Sequence, residues 1–206
     1  MYLPAAGHDW ALPLYDPVVK LLGGDRARMT VVDQAEVRPG HRVLDIGCGT
    51  GSLAVSIKTR HPDAEVTGLD PDPRALFRAR RKAYGAKVAV QLDRGFSDEL
   101  PYPDGSFDRV FSSFMLHHLE SPEKKRTLRE VRRVLKPGGL FFVVDFGGSG
   151  PSREGFVARW FHAHHRRQDN FGEGILTMLS QAGFSESKEI AHAGLFFARI
   201  TYYRAG

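Results

Sequence analysis

Cysteine is almost missing from this chain of 206 residues: Cys48 stands alone, so no disulfide can form within it. The opening stretch MYLPAAGHDW lacks the basic-then-apolar layout of a secretory signal, and the cytoplasm is the compartment expected. Long apolar runs are wanting too. LFFVV at 140–144 is typical of the longest, far below the roughly 20 residues that span a bilayer, so no crossing segment is expected. Nor does the sequence offer a clear ligand set for a metal. His162, His164 and His165 gather in one stretch with no cysteine or patterned acid beside them, and no metal is expected. Internal repeats and low-complexity tracts are absent as well, which leaves an ordinary globular reading.

Charge of both signs is plentiful, 29 Lys and Arg against 24 Asp and Glu, for a formal net charge of +5. Much of the excess sits in RALFRARRKAYGAK (74–87) and EKKRTLREVRRVLK (123–136). Both read as helices with wet basic faces, and plain solvation is the expectation for them ahead of a nucleic-acid or anionic-lipid footprint. The length lies between one generous domain and two small ones, and a single sheet-centred domain is expected.

After residue 40 short β-branched or aromatic runs alternate with longer helical patterns, the signature of βαβ units on a parallel sheet. Strands are expected at 42–47, 65–70, 87–92, 107–113 and 140–146, and helices at roughly 50–60, 72–84 and 122–136. In the last helix Leu128, Val131 and Leu135 recur at helical spacing, and LKPGG (135–139) supplies its stop. Two helical patterns, 9–22 and 24–36, precede the first strand. A helix over 174–184 and two apolar runs, 186–193 and 195–205, read as an antiparallel pair, close the chain.

VLDIGCGTG (43–51) places a glycine turn between a strand and a helix, where the absence of Cβ lets a ligand approach the backbone. The dinucleotide fingerprint is G-x-G-x-x-G, with amides turned to a pyrophosphate. Here the spacing is G-x-G-x-G at Gly47, Gly49 and Gly51, and Asp45 stands two residues before it. A carboxylate there repels a pyrophosphate and attracts an ammonium or sulfonium, so the loop fits a cationic adenosine compound better than NAD. Asp70, at the end of EVTGLD, is placed to accept both ribose hydroxyls of such a ligand.

VLDIGCGTG, GLD (68–70), ELPYPDGSFDRVFSSFMLHHL (99–119) and LKPGG, in that order, resemble class I S-adenosylmethionine-dependent methyltransferases, particularly the ubiquinone/menaquinone-biosynthesis type and its small-molecule relatives. The resemblance runs from about residue 40 to 145, with ILTMLSQAGF (175–184) similar to the family's late helix. It implies an α/β fold, a doubly wound, mostly parallel seven-stranded sheet (the Rossmann-like methyltransferase fold) with an antiparallel last strand. Within one methyltransferase domain, 1–38 would be a helical cap, 39–146 the cofactor-binding core, 147–172 a substrate lid and 173–206 the final helix and hairpin. S-adenosylmethionine would lie against Asp45, Gly47, Cys48, Gly49, Asp70, Pro71, Phe96, Ser97, Ser113 and Phe114. Phe96 departs from the family pattern, since it falls where an acid usually contacts the adenine amino group. Phe96 packed on the adenine edge with Ser97 bonding the ring, or Asp98 or Asp93 after a local shift, are the alternatives.

Methyl transfer from a sulfonium is an in-line displacement, and holding donor and acceptor as a near-attack pair can contribute roughly 7–11 kcal/mol without any obligatory catalytic side chain. A base is needed only where the acceptor must lose a proton. Tyr15 in LPLYDP and His117 after the fourth strand are the catalytic candidates, and Tyr15, Trp160 and His164 the candidates for the acceptor site. Cys48 reads as a small residue tolerated beside the cofactor, not a nucleophile. The fourth strand ends in SSFM (112–115), without the Asn/Asp-Pro-Pro-aromatic tetrad of base and amide methylation and without a Pro-Cys nucleophile, so a small-molecule acceptor is expected and no nucleic-acid partner. The stretch 153–167 puts Phe156, Val157, Trp160 and Phe161 on one helical face and Arg159, His162 and Arg166 on another, which suits a cap over the acceptor pocket or peripheral contact with a membrane. The expected activity is methyl transfer to a small aromatic or amphiphilic acceptor. The alternatives are a quinone or phospholipid methyltransferase at the membrane surface and an S-adenosylmethionine-binding protein without catalysis. Acceptor atom, pathway and oligomeric state are not legible.

Overall fold

A computed structural model describes residues 24–147, 174–195 and 198–206. In chain order the elements are α1 (Gly24–Gln34), β1 (Arg42–Ile46), α2 (Ser52–Arg60), β2 (Glu65–Asp70), α3 (Pro73–Gly85), β3 (Gln91–Arg94) and β4 (Phe107–Ser113). A single 3-10 turn (Leu116–His118) follows, then α4 (Ser121–Val134), β5 (Leu135–Phe146), α5 (Gly174–Gln181), β6 (Ser187–Leu195) and β7 (Ala198–Ala205). The helical pattern expected over 9–22, the stretch 153–167, and Tyr15, Trp160 and His164 lie outside the described residues.

One seven-stranded sheet runs in the order β3-β2-β1-β4-β5-β7-β6. Strands β1 to β5 pair in parallel, while β7 is antiparallel to both β5 and β6. The antiparallel last strand matches the expectation. Strand order reverses between β1 and β4, and in such sheets the crevice beyond the carboxyl ends of the strands at that reversal receives the ligand.

Alternation along each strand divides the core in two, because successive side chains leave a strand on opposite faces. Leu44, Ile46, Val110, Phe141 and Val143 pack beneath Leu128 and Val131 of α4 and Ile175 and Leu179 of α5. On the other face Val43, Val66, Phe111, Phe142 and Val144 meet Val31 and Val32 of α1 and Leu53, Ala54 and Ile57 of α2. Phe111 stacks on Phe142 with ring centroids 5.5 Å apart. Each such fully buried side chain stabilises the fold by about 1.5–3 kcal/mol.

Several boundaries differ from the sequence reading by two to four residues, among them the end of the helix expected over 174–184, which falls at Gln181, and two of them have a plain local cause. β3 begins at Gln91 instead of 87, because the exit from α3 consumes the intervening residues. Lys87 takes a φ of 56, and the Lys87 and Val88 amides turn back to the Tyr84 and Ala83 carbonyls. α4 ends at Val134 instead of 136, since the residue before a proline avoids helical geometry, and the KPGG stretch belongs to β5. There the pairing slips from Phe107 with Leu135 to Arg109 with Leu140, so the glycines form a bulge within the strand.

Candidate functional site

A cavity of about 420 Å³ opens over the carboxyl ends of β1, β2, β3 and β4. The turn after β1 forms its floor, and the turn is tight for reasons internal to the chain. Gly47 has a φ of 63, and a Cβ added there would lie 2.2 Å from Cγ of Met115. Gly51 has a φ of 74 and admits α3 so closely that its Cβ would sit 2.7 Å from that of Ala79. Gly49 is different. Its φ is 53, yet an added Cβ meets no atom of the described residues within 4 Å, so among them the backbone there is bare toward the cavity.

Asp70, at the end of β2, locks this turn. Its Oδ2 accepts the Gly49 amide at 2.8 Å and its Oδ1 the Asp72 amide at 2.9 Å. Burial pushes its carboxyl up, and the two amides oppose the shift. Each oxygen keeps a lone pair, and the side chain still lines the cavity. Asp72 next to it caps α3 through the Arg74 amide, while its second oxygen, buried, has no hydrogen-bond partner among the described residues.

Asp45 is electrostatically unusual. It is buried on β1, and neither carboxylate oxygen has a hydrogen-bond partner among the described residues. Burial pushes its pKa up to about 7; the Arg28 guanidinium and the Ala54 amide pull it down without closing a hydrogen bond. Arg28, buried on α1, lines the same cavity, reaches Ser113 Oγ at 3.4 Å and holds its guanidinium 5.9 Å from the Phe114 ring. The sequence reading passed over Arg28. Only its position in the expected helix 24–36 was visible, and nothing there distinguishes an inward arginine from an outward one.

Phe114 sits at a φ of 54, a conformation unfavourable for an aromatic residue, and is held by its amide on the Val144 carbonyl at 2.8 Å and its ring against Phe146. Phe114 and Ser113 line the cavity, with Met115 and His118 beside them. Cys48 and Pro71 line it too. Burial, reinforced by Asp45 and Asp70, pushes the Cys48 thiol up, so it stays protonated. Phe96 borders the cavity and is 54% exposed. Ser97 Oγ is engaged with Thr127 Oγ1 at 3.0 Å, and Asp98, also on the wall, pairs with Arg126 at 2.8 Å. Asp93 accepts the Tyr102 hydroxyl at 2.9 Å and is not among the lining residues.

His117 is not among the lining residues either; its neighbour His118 is. His117 Nδ1 lies 2.6 Å from Asp145 Oδ1, and its amide donates to Oδ2 at 3.1 Å. Burial alone would raise Asp145, but the His117 ring and the Phe146 and His117 amides hold it below the usual carboxylate range. The His117 and His118 rings meet with centroids 4.0 Å apart. Among the described residues the acids Asp45, Asp70, Asp72, Asp98, Glu120 and Glu123 line the cavity against Arg28 and His118, although the chain is net positive. The arrangement suits a ligand that is cationic near Asp45.

A family model described as a methyltransferase domain matches residues 43–139. A demethylmenaquinone methyltransferase of Thermus thermophilus is 34% identical over 210 residues, covering 89% of this chain and 93% of the relative. A 27-O-demethylrifamycin SV methyltransferase of Amycolatopsis mediterranei is 37% identical over 146 residues, which are 70% of this chain and 50% of that relative's length. In structure, phospholethanolamine N-methyltransferase 2 of Haemonchus contortus, solved with phosphomonomethylethanolamine and S-adenosylhomocysteine, superimposes with a TM-score of 0.73 at 17% identity, over 87% of this chain and 52% of that one.

Proposed function

Because the chain belongs to the methyltransferase-domain family and is an S-adenosylmethionine-dependent enzyme, we propose that it transfers the methyl group to a small aromatic or amphiphilic acceptor by in-line displacement. The partnerless carboxylate of Asp45 carries this reading. A buried carboxylate without a partner is costly, and a cationic ligand removes that cost. S-adenosylmethionine supplies, when bound, an ammonium and an activated methyl group on a sulfonium. Asp45 would hold the ammonium and Arg28 the carboxylate beside it. Asp70 would accept the ribose hydroxyls, and the exposed face of Phe96 would meet the base. Gly49, bare toward the cavity, lets the nucleoside lie against the backbone.

Acceptor chemistry is supported by the other wall, where Phe114, Met115 and Leu119 are apolar, and by relatives named for a demethylmenaquinone and a demethylrifamycin. Where the acceptor is a hydroxyl, His117, which stands behind His118 and not on the cavity wall, would take its proton through one bridging water. Asp145, held ionised, would orient the ring through Nδ1. Displacement itself asks the protein for alignment, and the positive φ of Phe114 fixes one side of that alignment. The test is incubation with methyl-labelled donor and a panel of demethylated quinols, catechols and hydroxylated macrocycles, with products resolved by mass. A labelled aromatic product is expected. Donor binding with no product across the panel would assign the chain to donor binding without catalysis.

A further inference from the structure

The two basic stretches of the sequence fold into helices that differ in the acids within their reach. On α4 Arg126 pairs with Asp98, and Arg133 with both Glu130 and Asp104. α3 carries no acid of its own, for none occurs between Pro73 and Leu92. Arg78, Arg80 and Arg81 form no ion pair among the described residues. The inner face of α3 is spent on Ala75, Leu76, Ala79 and Ala83, which are buried. Its outer face carries Arg74, Phe77, Arg81 and Tyr84 in sequence steps of three, four and three, which set them in one stripe. Phe77 is 59% exposed and Tyr84 is 87% exposed, two of the three large apolar side chains standing most in water among the described residues.

We propose that the outer face of α3 docks on an anionic lipid surface. Charge complementarity selects the sign of the partner, and the aromatics select its kind. A convex helix that thrusts a phenyl ring and a phenol outward between arginines finds apolar depth for the rings and phosphates for the guanidiniums at a bilayer interface. A duplex backbone offers the phosphates without the apolar depth. The helix also starts at the cavity: Pro71, Asp72 and Ala75 line it, and Phe77 follows two residues later. At about 5.4 Å per turn, docking through Phe77 brings the cavity mouth within a turn or two of the headgroups, where an amphiphilic acceptor is found. The surface deepens the acceptor reading above, but it is measured without any acceptor.

The experiment is cosedimentation of the full chain with vesicles of phosphatidylcholine alone and of phosphatidylcholine mixed with phosphatidylglycerol, at low and physiological salt. Binding is expected on the anionic vesicles only, weakening as salt rises. Arg80→Glu with Arg81→Glu should lower the partition coefficient by at least about 25-fold, at about fivefold for each cation removed. Phe77→Ala with Tyr84→Ala should lower it by about tenfold and leave the salt dependence unchanged. Both variants should bind S-adenosylhomocysteine as the parent does, which shows that they are folded. No binding to anionic vesicles overturns the proposal. So does binding that survives the α3 changes and is lost on Arg159→Glu with Trp160→Ala, which assigns the contact to 153–167. Capture of single-stranded RNA, lost with the two arginines and without any vesicle binding, assigns the face to nucleic acid and overturns it as well.

Discussion

Replacing Asp45 by Asn should stabilise the protein while disabling its donor site. In the fold the Asp45 carboxyl is pushed from its ordinary 3.8 to about 7 by burial, so ionising it opposes folding. Below pH 3.8 the group is neutral in the folded and unfolded states alike and costs nothing. As pH rises from 3.8 to 7 the unfolded chain releases the proton and the folded one keeps it, so stability is lost through this window and the loss is complete above pH 7. At about 1.4 kcal/mol per pH unit the full loss is about 4 kcal/mol. Asn has no charge to lose, though its amide would be buried with poor partners, which offsets about 1–2 kcal/mol. The variant should therefore match or fall slightly below the parent at pH 4 and exceed it by about 2–3 kcal/mol at pH 8. For a chain of this size that is a rise in Tm of about 4–12 °C. Urea unfolding at half-unit pH steps reads the difference directly. A difference that stays flat between pH 4 and 7, or that moves in favour of the parent, would refute the reasoning.

The same protonation predicts that donor affinity falls about tenfold for each pH unit below 7, because the ammonium must then displace a proton from Asp45; calorimetric titration from pH 5.5 to 7.5 measures the slope. Gly47→Ala, with its positive φ and its clash with Met115, should cost about 2–5 kcal/mol in urea unfolding. Gly49→Ala, equally left-handed but with open space around it, should cost only about 1–2 kcal/mol yet weaken S-adenosylhomocysteine at least tenfold. With a hydroxyl acceptor, Asp145→Asn should lower kcat by at least about tenfold and shift the pH–rate profile, while donor affinity stays unchanged. An unaltered profile would limit the pair to a structural role.

The legible parts of this protein were those encoded within a few residues. The β-branched runs marked β1, β2 and β4 closely, and Asp45, Gly47, Gly49 and Asp70 announced themselves by spacing because one turn and two strand ends hold them all. What escaped notice depends on distant contacts. Arg28 is buried only because α1 lies over the end of β4, and Asp145 meets His117 across 28 residues. The start of β3 slipped because a left-handed Lys87 lengthened the exit from α3, which no propensity of VAV reveals. The two basic helices both read as solvated basic faces in sequence, although Glu123 and Glu130 lie within α4 alone, and Asp98 and Asp104, which the fold brings beside α4, separate them further.

The most direct test of the account is calorimetric titration of the full chain and of Asp45→Asn and Asp70→Ala with S-adenosylmethionine and S-adenosylhomocysteine at pH 7.5, with NAD as control. The parent is expected to bind both sulfur compounds and not NAD, and each variant to lose at least about tenfold in affinity while remaining folded. Undiminished binding in Asp45→Asn would contradict the claim that its partnerless carboxylate receives the donor's ammonium.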